Sequence, residues 1–154
     1  MAVHYSGLDI SMVAAEDLSA MQYRFVTQAS DTTIRMLNNA YEIPLGILQN
    51  APENGETAVI RITGTSKLIM NAALAVATWV KAEYVAAGDN GKGEAADKGN
   101  DPARGQIIEA SGAEDDVGGV LLIHDSMSLA ASASASPSAS VSASPSASVS
   151  ASPS

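Results

Sequence analysis

Hydrophobic and polar positions alternate most regularly between residues 58 and 63, where Ala58, Ile60 and Ile62 interleave with Val59, Arg61 and Thr63. A repeat of two puts successive side chains on opposite faces of a strand, so this stretch predicts a half-buried β-strand. A second apolar run spans residues 43–48, and the polar insert between the two, residues 49–57, carries Pro52 and the pair Asn54-Gly55. Two β-rich runs around such a turn signal predict a hairpin at the centre of the chain. Gly64 then interrupts the pattern and residues 66–70 resume it, which predicts a third strand directly after the second.

The flanks read in the same terms. Met21, Tyr23 and Phe25 fall on one side of residues 21–28, with Gln22 and Arg24 on the other, and all favour a strand. Asp31 marks a turn, residues 32–37 a short strand, and Asn38-Asn39 a turn toward the hairpin. Residues 1–20 are mixed, with Asp17-Leu18-Ser19-Ala20 leading into the strand that follows. Residues 71–87 are ambiguous: seven alanines favour helix, whereas Thr78-Trp79-Val80 and Glu83-Tyr84-Val85 favour strand. The expectation is a short helical or irregular turn over 72–77 and a strand centred on 79–81. Residues 88–93 then form a turn, Ala95-Ala96 a short edge strand, and 97–103 a loop. The last two strands fall at 105–110 and 117–123, joined by the acidic turn 111–116. Seven or eight short strands at this spacing predict an all-β fold, a small antiparallel β-barrel or sandwich. Its expected core is Met21, Tyr23, Phe25, Leu45, Ile47, Ile60, Ile62, Leu68, Ile107 and Leu121.

After Asp125 the pattern changes character. Residues 126–154 carry no charge, every even position from 132 to 154 is serine, and from Ser134 the octad SASPSASV runs twice and begins a third time. A segment so poor in bulky apolar groups cannot offset its ordering entropy, and proline every eighth residue excludes a continuous helix. The chain therefore divides into a β-rich domain over 1–125 and an extended Ser/Ala/Pro arm over 126–154.

Composition narrows the partners. Of the 154 residues 28 are alanine, with one Trp, one Phe and four Tyr, so the core is thin for the length. Seventeen acidic residues against eight basic ones leave a net charge of −9, which argues against nucleic acid and anionic membranes as partners. The absence of cysteine excludes disulfides and thiolate metal sites. No secretory signal is legible at the N-terminus, and the longest apolar run, 68–80, falls short of the ~20 residues of a membrane span. Synthesis in the cytoplasm is the default.

Candidate chemistry is sparse. His4 and His124 lie at opposite ends of the domain and are expected at the surface. Gly91-Lys92 lacks the Ser/Thr and the upstream Gly of a phosphate loop, so turn chemistry explains it better. Residues 97–101 and Glu114-Asp115-Asp116 offer oxygen ligands without EF-hand spacing and read as solvated acidic loops. No catalytic residue, cofactor site or metal site is expected, and no enzymatic activity.

Several blocks together resemble the capsid cement (head decoration) proteins of tailed bacteriophages. They are Asp17-Leu18-Ser19-Ala20-Met21-Gln22-Tyr23-Arg24-Phe25-Val26, Ile43-Pro44-Leu45-Gly46-Ile47-Leu48-Gln49-Asn50-Ala51-Pro52, and Gly55-Glu56 with Val59-Ile60-Arg61-Ile62-Thr63-Gly64. The series closes with Gly105-Gln106-Ile107-Ile108-Glu109-Ala110-Ser111 and Val120-Leu121-Leu122-Ile123, so the likeness spans about residues 3–124. It implies a β-rich protein on the exterior of a phage head, usually a homotrimer, that braces the contacts between copies of the major capsid protein. The alanine-rich 71–77 departs from the glycine-containing turn more usual there, and the arm is an addition to the pattern. A head-fibre base or a receptor- or glycan-binding virion protein, with the arm as stalk, is the alternative.

Overall fold

A computed structural model describes residues 4–39, 42–84, 89–97 and 99–123, and among these are nine strands and no helix. The strands are β1 (Gly7–Ala14), β2 (Phe25–Gln28), β3 (Thr33–Arg35), β4 (Gly46–Leu48), β5 (Thr57–Ile69), β6 (Trp79–Ala82), β7 (Gly93–Ala95), β8 (Gly105–Glu109) and β9 (Val117–Leu122). The central hairpin is β4–β5, with Ile47 opposite Arg61 and Leu48 opposite Ile60. Asn50 clamps its loop end, donating from Nδ2 to the Thr57 carbonyl and accepting the Val59 N–H at Oδ1, both at 2.9 Å.

Beyond Gly64 no new strand begins. β5 continues through it for 13 residues in all, and Gly64 takes the bend at φ +93°, where a side chain would be strained. The parity of the pattern survives the bend: Ala58, Ile60, Ser66 and Leu68 are all buried. What changes is the partner. Residues 57–64 pair with β1, residues 60–61 also with β4, and residues 64–69 with β9.

The first half of β5 closes a ring in the order β1-β3-β2-β4-β5, with β5 returning to β1. The second half opens a lateral sheet in the order β5-β9-β8-β6-β7. The sheet is antiparallel throughout apart from β1–β3, where Val13 faces Thr33 and Ala14 faces Ile34 in parallel. A ring with an odd number of strands cannot alternate direction all the way round, so one parallel pair is unavoidable. β1 itself emerges from the mixed N-terminal stretch, and its residues 7–13 pair with β5. Its alternation (Leu8, Ile10 and Met12 against Asp9, Ser11 and Val13) is legible once the partner is known.

Two cores result. The ring encloses Ala14, Leu18, Val26, Ile34, Met36, Leu48, Ala58 and Ile60, with Met21, Leu45 and Ile62 half-buried against them. The lateral sheet folds back on the outside of the ring, packing Leu68, Met70, Leu74, Val80, Ile107, Val120 and Leu122 against Phe25, Leu37 and Ile47. β2 and β4 are thus a shared wall, Phe25 and Ile47 on one side and Val26 and Leu48 on the other. A strand covered on both faces has no reason to alternate.

Two residues expected in the core lie elsewhere. Tyr23 precedes its strand, in a turn at φ +63°. Leu121 is 37% exposed, because Val120 and Leu122 hold the inward positions of β9. The 72–77 stretch is irregular, with Leu74 alone turned into the core. β7, the last strand of the lateral sheet, ends at Ala95, and its Gly93 makes an isolated bridge to Met70 just after β5. The arm, and with it the boundary at 125/126, lies outside the described residues.

Candidate interaction surface

The groups singled out as possible ligands are joints of the lateral sheet. Gly91 donates its N–H to the Glu83 carbonyl at 2.9 Å and accepts that of Phe25 at 2.7 Å. A Cβ on Gly91 would lie 2.5 Å from the Phe25 carbonyl oxygen, so the 89–92 turn can reach the ring wall only with glycine there. Lys92 is buried, and its Nζ lies 2.7 Å from Asp89, 2.6 Å from Asp115 and 3.5 Å from Glu114. Burial alone would push the ammonium pKa down; its hydrogen bonds to Asp115 and Asp89 more than offset this and raise it. The acidic turn 111–116 therefore neutralises a buried lysine, and Asp116 serves the same loop by accepting the Gly112 N–H at 3.0 Å.

The second acidic loop is closed in the same way. Asp101 accepts the Asp97 N–H at 2.9 Å and lies 3.1 Å from the Lys81 ammonium, while Asn100 donates to Asp97. Among the described residues no group of three or more His, Cys, Asp or Glu side chains is placed to hold a metal ion. His4 is exposed ahead of β1, and His124 lies outside the described residues. Glu83 is buried close to the Lys92 joint, and burial pushes its carboxyl pKa up. Among the described residues no helix is long and apolar enough to cross a membrane.

A cleft of about 270 Å³ opens where the 42–44 segment meets β6 and β7, lined by Pro44, Lys81, Tyr84, Glu94, Asp101 and Pro102. Its charges are largely matched from within: Lys81 pairs with Asp101 and Glu94, and the nearby Glu42 takes both ends of Arg35. It is a seam between ring and lateral sheet rather than a deep pocket.

The outer face of the lateral sheet differs. Register puts Thr65 opposite Leu121, Lys67 opposite Gly119 and Ile69 opposite Val117, all on the side away from the core. Val117 and Leu121 are exposed, at 47% and 37%. Gly119 leaves a slot that Tyr5 fills from the N-terminal segment: a Cβ there would lie 2.8 Å from the Tyr5 hydroxyl. That hydroxyl donates to Glu109 on β8. Burial, then the Glu109 bond and charge, push the Tyr5 phenol up to about 12.

Lys67 completes the arrangement. Its ammonium lies 6.0 Å from the centre of the Tyr5 ring and 5.6 Å from that of Tyr23, contacts worth about 0.5–1 kcal/mol each at exposed sites. Tyr23 reaches it from a left-handed backbone that costs a bulky residue about 1–3 kcal/mol. Its N–H donates to the Leu48 carbonyl at 2.8 Å and its own carbonyl accepts the Ile69 N–H at 2.9 Å. The strained residue thereby ties the ring to the lateral sheet. The parity of β5 places Lys67 on the outside, but Tyr5 is 62 residues away in the chain, and no sequence signal joins the two.

A closed five-stranded ring with a lateral sheet packed on its wall defines a class of small all-β domain. Its fold is similar to that in the crystal structure of the N base of the head fibre protein gp8.5 of bacteriophage phi29. The TM-score is 0.57, over 77% of this chain and 95% of that one, at 15% identity. No protein-family model matches the chain, and no curated protein matches it in sequence.

Proposed function

We propose that this chain is a non-enzymatic structural protein of a phage head: the base of a fibre that stands on the capsid exterior, with the 126–154 arm as stalk. The observation that carries this reading is the fold likeness, which takes in 95% of the phi29 head-fibre base. The sequence blocks over residues 3–124 point independently to the exterior of a phage head. On this reading the partners are the major capsid protein and further copies of the chain, as trimers. Neither nucleic acid nor a membrane takes part, and a net charge of −9 keeps the free protein dispersed in the bacterial cytoplasm until heads are available. Many weak contacts repeated by capsid symmetry, rather than one deep site, would supply the affinity.

The test is to image heads assembled with and without the chain. Projections missing from heads that lack it, and restored when purified protein is added back, support the fibre base; unchanged heads sink it. Truncation after Asp125 is expected to leave the 1–125 domain bound while removing the projections. The second reading, a cement protein, is favoured by the blocks that resemble decoration proteins. It predicts that saturating protein raises the resistance of heads to heat or low salt, an effect a fibre base has no need to produce.

A further inference from the structure

We propose that the outer face of β5 and β9 around Lys67 is the surface by which the chain docks, and that it fits a protein partner presenting a carboxylate within an apolar surround. This rests on the reading of the chain as a head-bound protein and names the face and the chemistry it would use. The argument starts from charge. With eight basic residues against seventeen acidic ones, carboxylate neighbours are abundant. Lys81 lies against Asp101 and Glu94, and Lys92 against Asp89, Asp115 and Glu114. Arg35 and Arg61 are likewise engaged, by Glu42 and Asp9.

Lys67 is held differently. It is exposed, and its ammonium is steadied by the rings of Tyr5 and Tyr23. Ring faces orient a cation without neutralising it, so its charge stays available to an incoming anion. The carboxylate on this face, Glu109, accepts the Tyr5 hydroxyl two strands away from Lys67. Beside the ammonium, Val117 and Leu121 are exposed and Ile69 is half-buried. The tyrosine and aliphatic groups around Lys67 have the make-up of an interface centre, where aromatic residues are enriched and lysine is depleted. A lysine there needs the fixing that the two rings supply. A net charge of −9 works against an acidic partner at most other orientations, so Lys67 would also help to set how the chain lands.

The test uses the full-length chain and purified heads assembled without it. The variants are Lys67→Gln, Lys67→Arg, Leu121→Asp and, as a control of similar chemistry far from the face, Ile43→Asp, at a residue 66% exposed. Lys67→Gln and Leu121→Asp are expected to weaken binding at least tenfold and Lys67→Arg less than threefold. Ile43→Asp should leave binding unchanged, and the salt dependence of binding should be shallower in Lys67→Gln. Saturable wild-type binding with Lys67→Gln and Leu121→Asp within twofold of it overturns this inference and leaves the head-bound reading intact. Loss in Ile43→Asp equal to that in Leu121→Asp overturns it too, since any added acid would then suffice. If Lys67→Gln changes the sedimentation of the free protein instead, the face joins copies of this chain and the proposal is wrong. If the wild-type chain binds no heads, the underlying reading has failed and this inference falls with it.

Discussion

The ring and the lateral sheet are built from one continuous strand, yet they are held by different means. In the ring every strand has a neighbour on both sides, and side chains converge on a closed interior. The lateral sheet packs one face on the ring wall and ends at β7, which an isolated bridge from Gly93 to Met70 ties back to the end of β5. Beside that apolar packing it has a few point fastenings: the buried Lys92, the glycine contact at Gly91 and the strained Tyr23. Closure distributes stability over many equivalent contacts, whereas an open sheet concentrates it in individual side chains. The open sheet also keeps a face free for something else to cover.

This contrast predicts a ranking of substitutions. Ile60→Ala, at the centre of the ring, should cost about 2–5 kcal/mol. A thin core tolerates that poorly, so the variant is expected to be insoluble or to fold only with its partner. Ile107→Ala, equally buried in the second core, removes the same volume and should cost less, about 2 kcal/mol. Chemical denaturation measures both; equal costs would mean that the ring enjoys no advantage from closure.

Lys92→Met keeps the packing and removes the ammonium. Its carboxylate partners are largely exposed and can be rehydrated, so the expected cost is about 2 kcal/mol, the scale of a charge-assisted hydrogen bond. Amide exchange should accelerate at 89–92 and 111–116 while the ring strands stay protected. Acceleration spread evenly over both regions would show that they unfold as one unit.

pH acts on both regions with the same sign, apart from one carboxyl of the lateral sheet. Asp9 on the ring, Glu42 at the seam, and Asp89 and Asp101 on the lateral sheet are all held below the usual carboxylate range. The bond to Arg61 dominates for Asp9 and the bond to Lys92 for Asp89. A backbone hydrogen bond dominates for Asp101, and for Glu42 the Arg35 and backbone bonds overcome burial. A depressed folded pKa contributes stability above the unfolded value of about 4, and that stability is lost as pH falls through the folded value. Glu83 has the opposite sign: burial favours its protonated form, so its ionisation works against folding near neutrality. Glu83→Gln should then leave stability at pH 7 unchanged or higher and flatten the profile between pH 4 and 7. A loss at pH 7 would show the ionised carboxylate to be needed.

The smallest effects belong to the outer face. Tyr5 holds its proton up to about 12 in the fold, so a raised folded value costs stability only as pH rises from the unfolded ~10 toward 12. Ultraviolet titration should find a late-titrating component that is absent in Tyr5→Phe. Tyr23→Gly relieves the left-handed strain and loses the ring contact, so stability should move by under about 1 kcal/mol. A larger loss would mean that the ring does more than orient Lys67.

How much of this was legible in the sequence differs by element. The central hairpin, β3, β6, β8 and β9 follow from alternation and turn residues, because a strand with one wet face must alternate and a tight turn must carry residues such as Asn-Gly. The all-β class follows from the same local chemistry. β1 is hard to read because Leu8 on its apolar side is exposed and Val13 stands on its polar side, and the parity of Leu121 is hidden because Gly118 and Gly119 carry no side chain to mark it. Other features belong to the tertiary structure alone. The parallel β1–β3 pair comes from closing an odd ring. The double-sided burial of β2 and β4 comes from the lateral sheet folding back. The meeting of Tyr5, Tyr23 and Lys67, and of Lys92 with Asp115, joins residues far apart in the chain. Local pattern determines which residues extend and where they turn; which strands become neighbours is decided by burying two apolar faces at once, a condition no single segment contains.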